Sequence, residues 1–186
     1  MPVFKSSLDM AGAACAENRA HMLALVARHD ELRDRSAAAS GRAGPRFAKR
    51  GQLLPRERLG LLLDAGAPYL ELAACAGYLL DNPDPEKSTP GGGLLAGIGQ
   101  VSGARCVIVV DDSGIEAGAL QPMGLEKFQR VQQLSLENGL PFVHLVESAG
   151  ANLLRYRVED FIFDGSHYAR LARMSAAGIP VLTIVH

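Results

Sequence analysis

Apolar residues recur at helical spacing through the first part of the chain. No glycine or proline follows Gly12 within residues 8–38. The apolar positions of this segment fall on one stripe. This period predicts one long amphipathic helix, with Ser7 or Asp9 as its cap, and we assign residues 1–40 to this helical segment. A single helix cannot bury its own stripe, so we expect it to pack on the rest of the chain or on another subunit.

Shorter elements follow a glycine-containing, basic break at residues 41–51. Pro55 suits the first position of a helix that ends near Asp64, and residues 69–72 are a strand candidate. Three prolines in residues 82–90 predict a surface loop. The next two apolar runs, LLAGIGQVSG and ARCVIVVDD, are joined at Ser102-Gly103 and predict a β-hairpin.

One local pattern occurs twice in the second half of the chain. Residues 123–138 and 166–177 have helical periodicity, and each is followed by glycine, an aliphatic residue, proline and an apolar run, FVHLV or VLTIV. Glycine stops a helix in the left-handed conformation and proline prevents its continuation. Apolar runs without strict alternation are typical of parallel strands buried on both faces. The pattern predicts an α/β fold with right-handed crossovers.

Composition excludes several classes of protein. Of the 186 residues, 48% are hydrophobic and 21% are charged, which is globular composition and excludes a disordered chain. No apolar run approaches the ~20 residues of a membrane span. A net charge of −1 gives no overall field for nucleic acid, so we expect neither nucleic acid nor membrane as a partner.

The cysteines indicate a reducing compartment. Cys15, Cys75 and Cys106 form no closely spaced pair and no metal-binding pattern, so we interpret them as unpaired thiols. The first residues resemble neither a secretory signal nor a mitochondrial presequence. We therefore expect a cytoplasmic protein.

A cationic segment extends from Arg42 to Arg58, with six positive residues and one negative. Two interpretations stay open: a solvated surface of a helix and loop, or a patch that binds the phosphates of a nucleotide-tailed ligand. Arg50 is our candidate within this segment for substrate contact.

Small residues follow the predicted strand FVHLV. Because ligands of open α/β sheets bind at the carboxyl ends of strands, the sequence Glu147 to Asn152 is a candidate site. Small side chains allow backbone N–H groups to face a ligand, as in an oxyanion hole, although a plain tight turn has the same composition. Ser148 lacks the glycine two residues before it that a nucleophile elbow requires, because Val146 stands there.

A second strand end carries Asp111-Asp112 and, further on, Gly118-Ala119. Paired acids could bind a metal ion, but no third ligand is suitably spaced, so we expect solvation or capping and no metal. His144 lies within a predicted strand, where we expect a hydrogen-bonded interior residue. The strand VLTIVH ends the chain, and because buried parallel strands rarely do so, we expect an N-terminal piece of a longer protein.

Four blocks of sequence together resemble a known family. They are GQLLPRERLGLLLD at 51–64, PGGGLLAGIGQVSG at 90–103, LPFVHLVESAGANLLRY at 140–156 and MSAAGIPVLTIV at 174–185. Over residues 48–186 the chain resembles the carboxyltransferase (β) subunit of biotin-dependent acyl-CoA carboxylases. Ser148-Ala149-Gly150-Ala151 departs from the more usual SGGA, and DDSGIEAGALQP at 111–122 is more similar to the geranyl-CoA subgroup.

The resemblance implies a ClpP/crotonase-like fold, with residues 41–186 as the first, incomplete part of the N-terminal carboxyltransferase domain. It implies transfer of a carboxyl group from carboxybiotin to an acyl- or enoyl-CoA through an enolate, with geranyl-CoA or 3-methylcrotonyl-CoA favoured. Biotin would be carried by a partner α subunit, and β subunits would form an oligomer. The implied backbone oxyanion donors are Gly150 and Ala151, and the implied substrate contacts are Ser148, Ala149, Gly118, Ala119 and Arg50.

Two rival functions are compatible with the same residues. An enoyl-CoA hydratase or isomerase of this fold would need an acid for proton transfer, and Glu147 is the acid at the strand end. A fragment that serves assembly alone would need no active site. For the main interpretation we expect the 186-residue chain by itself to be inactive.

Overall fold

The computed structural model describes residue 3, residues 5–119, residues 121–150, residue 159 and residues 165–185. Within these ranges no helix has the length and apolar composition needed to cross a bilayer.

The described helices are α1 (Ala13–Gly41), α2 (Gly44–Lys49), α3 (Pro55–Leu62), α4 (Pro122–Asn138) and α5 (Ser166–Ala176), with a 3-10 turn at Glu116–Gly118. The described strands are β1 (Leu70–Glu71), β2 (Leu94–Val101), β3 (Ala104–Asp111), β4 (Phe142–Val146) and β5 (Val181–Val185). The α/β fold class predicted from the pattern is therefore confirmed.

The strands form one sheet in the order β1-β2-β3-β4-β5. The first three are antiparallel neighbours, whereas β3, β4 and β5 are parallel. The predicted hairpin is confirmed: Ser102 (φ 51°) and Gly103 (φ 77°) form its two-residue turn, and both of their N–H groups donate to the carboxylate of Asp64 at 2.7 Å. Burial of VLTIV on both faces is not observed, because β5 is the edge strand of the described sheet and is exposed.

The two predicted helix-to-strand junctions have the same geometry. Gly139 and Gly178 are left-handed, with φ of 62° and 70°. The following N–H group, of Leu140 or Ile179, donates to a carbonyl five residues back in the helix. Both junctions are Schellman-type stops, which satisfy terminal carbonyls and turn the chain back toward the sheet.

Hydrophobic side chains are buried on both faces of the sheet. Helices α4 and α5 cover one face, where Phe128 and Met174 pack against Val107, Val109 and Phe142. Helix α3 covers the other face, and its Leu59 packs in a cluster with apolar residues of β2, β3 and β4. The sheet is therefore fixed from both sides near its centre, which positions the ends of β3 and β4.

Helix α1 differs from its prediction in its start, and of the two predicted packing partners the described body of the chain is not the one its stripe contacts. It begins at Ala13 after Gly12, and neither Ser7 nor Asp9 caps it; instead Asp9 forms a preceding turn that accepts the N–H groups of Ala11 and Gly12. Its stripe does not pack on the described body of the chain, since Met22, Leu25 and Val26 remain 50–59% exposed. Its buried positions are in the last turns, Ser36, Ala39 and Ser40. The basic break predicted after it contains the short helix α2.

The loop that contains the three consecutive glycines 91–93 is held in place by the start of α4. Gly92 approaches the backbone of Gly124 so closely that a Cβ atom on Gly124 would collide with the Gly92 carbonyl oxygen. The buried ammonium of Lys127 donates to the carbonyls of Gly91 (3.1 Å) and Leu94 (2.8 Å), and burial lowers its pKa to about 8. The glycines are therefore required for close packing between a loop and a helix.

We predict opposite effects for two helical glycine-to-alanine changes. Gly124→Ala should lower the free energy of unfolding by roughly 2 kcal/mol or more, because the new methyl group meets backbone atoms that cannot rotate away. Gly60→Ala in α3, where a Cβ atom would meet nothing within 4 Å, should raise it by up to about 1 kcal/mol. Chemical denaturation measures both values. If Gly124→Ala lowered the free energy of unfolding by no more than the size of the change in Gly60→Ala, the close approach of Gly92 and Gly124 would be contradicted.

Candidate functional site

The loops that follow β3 and β4 contact each other at the carboxyl ends of these strands. The Ser148 hydroxyl donates to the Gly118 carbonyl at 2.6 Å, and the Ala149 N–H donates to the Ala117 carbonyl at 3.1 Å. Gly118 has φ 74°, and a Cβ atom there would collide with the carbonyl oxygen of Glu147. The structure thus brings together the two segments of small residues that the sequence identified.

A small cleft of about 170 Å³ opens between these loops and β5. Its lining consists of Ser113, Ala117, Val146, Glu147, Ser148 and Val185. Of the predicted substrate contacts, Ser148 lines this cleft, while Ala149 and Gly118 lie in the contact between the loops and Ala119 is buried. A cleft at this edge of a parallel sheet is where ligands of open α/β sheets bind.

Of the two predicted oxyanion donors, Gly150 lies within the described part of the chain. Gly150 is exposed with φ 83°, and its N–H donates to the Ser148 hydroxyl at 3.0 Å. Ala151 lies outside the described residues. The role of both residues as oxyanion donors stays a prediction.

The backbone after β3 adopts three consecutive left-handed residues. Two of them are not glycine: Glu116 has φ 45° and Ala117 has φ 55°. The side-chain amide of Gln121 donates to the Glu116 carboxylate and braces this turn. Left-handed non-glycine residues are costly, and they persist where surrounding contacts impose them, often beside binding sites.

A larger cavity of about 630 Å³ lies on the other side of the turn after β3. Arg42, Arg46 and Lys87 contribute positive charge to its lining, and Asp81 and Glu116 contribute negative charge. Residues 114–116 line this cavity, whereas Ser113 and Ala117 line the small cleft. One turn of backbone therefore separates the two openings. The predicted substrate contact Arg50 is exposed and is not part of the described lining.

The cationic segment does not act as one patch. Both terminal nitrogens of Arg56 contact the carboxylate of Glu71 at 3.2 Å. Arg58 is buried, where it contacts Glu147 and the backbone of β3. Arg46 donates to the Ser113 carbonyl at 3.0 Å. Neither sequence interpretation, a solvated surface or a phosphate patch, describes the whole segment, because part of its charge is neutralised inside the chain.

The acid pair at the end of β3 is buried and hydrogen-bonded, so of the two expectations, solvation and capping, the structure supports capping. Asp111 Oδ1 lies 3.0 Å from His144 Nε2, which confirms His144 as a bonded interior residue. Asp112 accepts from the Ser40 hydroxyl (2.8 Å) and caps the next turn through the N–H of Gly114 (3.0 Å). Burial raises the pKa of Asp112. No cluster of three metal-ligating side chains occurs among the described residues.

The contacts of Ser40 and Arg58 were not predicted from the sequence. The Ser40–Asp112 bond joins residues 72 positions apart, and no local pattern signals it. Arg58 carried a weak signal, since it lies one helical turn from both Pro55 and Leu62, on the face of α3 that is buried. A charged residue on an otherwise apolar helical face indicates a buried partner.

Known proteins similar to this chain are carboxylase subunits. Residues 46–186 match the family of the carboxyl transferase domain. The chain is 38% identical to a probable mitochondrial methylcrotonoyl-CoA carboxylase beta chain of Drosophila melanogaster, over 98% of this chain and 32% of that protein. It is 43% identical to the biotin-dependent 3-methylcrotonyl-coenzyme A carboxylase beta1 subunit of Mycobacterium tuberculosis, over 83% of this chain and 30% of that protein.

A solved structure extends the similarity to three dimensions. The beta subunit of geranyl-CoA carboxylase from P. aeruginosa is 48% identical and superposes with a TM-score of 0.87, over 100% of this chain and 34% of that one. The expected crotonase-like carboxyltransferase fold is thereby confirmed. The chain spans about a third of the length of these relatives. With three quarters of its residues matched, the chain belongs to the carboxyl transferase domain family of biotin-dependent acyl-CoA carboxylase β subunits.

Proposed function

We propose that this chain forms the first part of a subunit that transfers a carboxyl group from carboxybiotin to a CoA thioester. In that reaction the carbon of the acyl or enoyl group that becomes the enolate or dienolate nucleophile loses a proton and gains the carboxyl group, while N1′ of biotin loses the carboxyl group and regains a proton. Removal of the proton develops negative charge on the thioester oxygen. Backbone N–H groups stabilise such charge without reorganisation, so the protein needs no charged nucleophile.

The contact between the loops after β3 and β4 is the observation that supports this function best. It holds Ser148 in the lining of the small cleft, with Ala149 and Gly150, which have no bulky side chains, directly after it in the chain. We propose that the N–H of Gly150 exchanges its bond to the Ser148 hydroxyl for one to the thioester oxygen, with the N–H of Ala151 as the second donor. Ser148 and Ala149 then act by shaping the loop, and Gly118 and Ala119 by supporting it.

Hydration of an enoyl-CoA is supported less well. That reaction would use Glu147 as a general acid or base, which requires a carboxyl group free to exchange protons. The Glu147 carboxylate lies 3.0 Å from the guanidinium of Arg58, which is buried, and the Glu147 side chain is largely buried as well. An ion pair of this kind holds the carboxylate in place, away from the proton transfer that hydration requires.

The larger cavity suits the nucleotide end of a CoA thioester. Arg42, Arg46 and Lys87 offer cationic groups to phosphates, and the single turn at residues 114–117 separates this cavity from the cleft. We propose that the phosphates bind in the cavity while the acyl end reaches the cleft. Arg50, which is not in the described lining, stays a proposed substrate contact.

The substrate and partners follow from the relatives. The 48% identity to a geranyl-CoA carboxylase subunit supports geranyl-CoA as substrate, and the methylcrotonyl-type relatives support 3-methylcrotonyl-CoA as the alternative. We propose biotin on a partner α subunit, an oligomer of β subunits, no resident metal and a cytoplasmic location, the last supported by three unpaired cysteines. We further propose residues 1–40 as a helical extension and residues 41–186 as the first part of the carboxyltransferase domain, inactive when isolated.

The donor proposal predicts that Ala151→Pro slows turnover. Proline has no N–H, and loss of one oxyanion donor lowers kcat by about 10²- to 10³-fold. The matched variant Ala151→Gly keeps the N–H and should stay within a few-fold of the parent. Steady-state carboxylation by the assembled enzyme gives kcat, and thermal melting checks that Ala151→Pro folds. Unchanged turnover in Ala151→Pro would exclude Ala151 from the site.

The phosphate proposal predicts that Arg42→Gln raises KM for the CoA thioester by about fivefold, which corresponds to loss of ~1 kcal/mol of binding. KM for the matching N-acetylcysteamine thioester, which has no phosphates, should not change. Arg105→Gln, an equal charge change at the opposite end of β3, is the control, and Arg50→Gln tests the residue predicted from sequence. An equal rise in KM for both thioesters, or no rise for either, would contradict phosphate binding in the cavity.

A further inference from the structure

A buried arginine connects the ends of two parallel strands directly beneath the small cleft. The side chain of Arg58 is 8% exposed, and its Nη2 atom donates to the Asp111 carbonyl at 2.8 Å. The same Nη2 atom lies 3.0 Å from Oε2 of Glu147 in an ion pair that lacks the alignment of a hydrogen bond. One guanidinium thus contacts the last residue of β3 and the first residue after β4.

Asp111 strengthens this connection from the other side. Its Oδ2 atom accepts the backbone N–H of Glu147 at 3.2 Å, and its Oδ1 atom contacts His144 in β4. Glu147 is therefore held through its main chain by Asp111 and through its side chain by Arg58. Ser148, Ala149 and Gly150 follow Glu147 directly in the chain. A change in the position of Glu147 would therefore change the direction of their N–H groups.

Charge adds a second consequence. Glu147 lines the cleft in which negative charge would develop on a thioester oxygen, and its Oε2 atom is buried against Arg58. An uncompensated carboxylate there would oppose that charge, and the effect would be strong because the surroundings are poorly solvated. The guanidinium of Arg58 compensates the carboxylate and keeps it away from the opening.

We infer that Arg58 is a positioning residue for carboxyl transfer, which orients the loop after β4 and neutralises Glu147 without touching the substrate. This inference rests on the proposed function. It also replaces the phosphate-binding role that the cationic segment suggested for Arg58.

The test compares variants of two arginines on the same helix within the assembled carboxylase. Arg58→Met should lower kcat by roughly 10- to 100-fold while KM for the CoA thioester stays within threefold, because misplacement of the loop affects the transition state more than binding. Arg56→Met loses a more exposed ion pair, to Glu71, and neither of these residues lines the cleft, so both constants should stay within twofold. Amide hydrogen exchange at Glu147 and Ala149 should accelerate in Arg58→Met and not in Arg56→Met.

A double variant separates charge compensation from general damage to the fold. Arg58→Met with Glu147→Gln removes the uncompensated carboxylate and should recover about fivefold of the lost kcat. If Arg58→Met does not assemble, Arg58→Lys replaces it: the ammonium keeps the charge but not the position of Nη2 on the longer, planar guanidinium, and kcat should fall by about threefold to tenfold.

Three results would overturn the inference. The first is a rise in KM with unchanged kcat in Arg58→Met, which would make Arg58 a ligand contact. The second is equal behaviour of the Arg58 and Arg56 variants. The third is no recovery of kcat in the double variant. Unchanged kcat in Arg58→Lys, where that variant is used, would overturn it as well. A parent enzyme that carboxylates no CoA thioester would instead contradict the proposed function, and the exchange measurement would still report whether Arg58 orders the loop.

Discussion

The site depends on one structural constraint, which is that the backbone polar groups at the ends of two parallel strands must find hydrogen-bond partners within the protein. The loops after β3 and β4 meet this requirement through each other, by the bonds from Ser148 to Gly118 and from Ala149 to Ala117. Such an approach is possible only where side chains are small or absent. The same small residues leave the cleft at the sheet edge open. The contact that packs the two loops together therefore also forms the proposed binding site.

Buried polar contacts then make that arrangement rigid. Arg58, Asp111 and Glu147 connect α3 to the two strand ends, and Ser40 connects the end of α1 to Asp112. Polar groups buried in this way are expensive to leave unpaired, so each contact favours one position of the loops. A reaction that relies on fixed N–H groups instead of a mobile nucleophile needs this kind of support.

Local sequence determined the elements, and distant contacts determined the site. The turn at Ser102-Gly103 and the stops at Gly139 and Gly178 were predictable because glycine conformation and helix ends are local properties. The start of α1 was not, because Gly12 follows a turn built by Asp9. The identity of the partners of Arg58 could not be predicted from local sequence either, since these partners lie far along the chain.

A crystal structure of the assembled enzyme with a bound, non-reactive CoA thioester would test the central claim most directly. We expect the thioester oxygen within about 3 Å of the backbone nitrogens of Gly150 and Ala151, with the Gly150 N–H turned away from the Ser148 hydroxyl. We also expect the Arg58–Glu147 pair to remain in place. A thioester oxygen directed at a charged side chain, or lying distant from residues 150 and 151, would contradict the account.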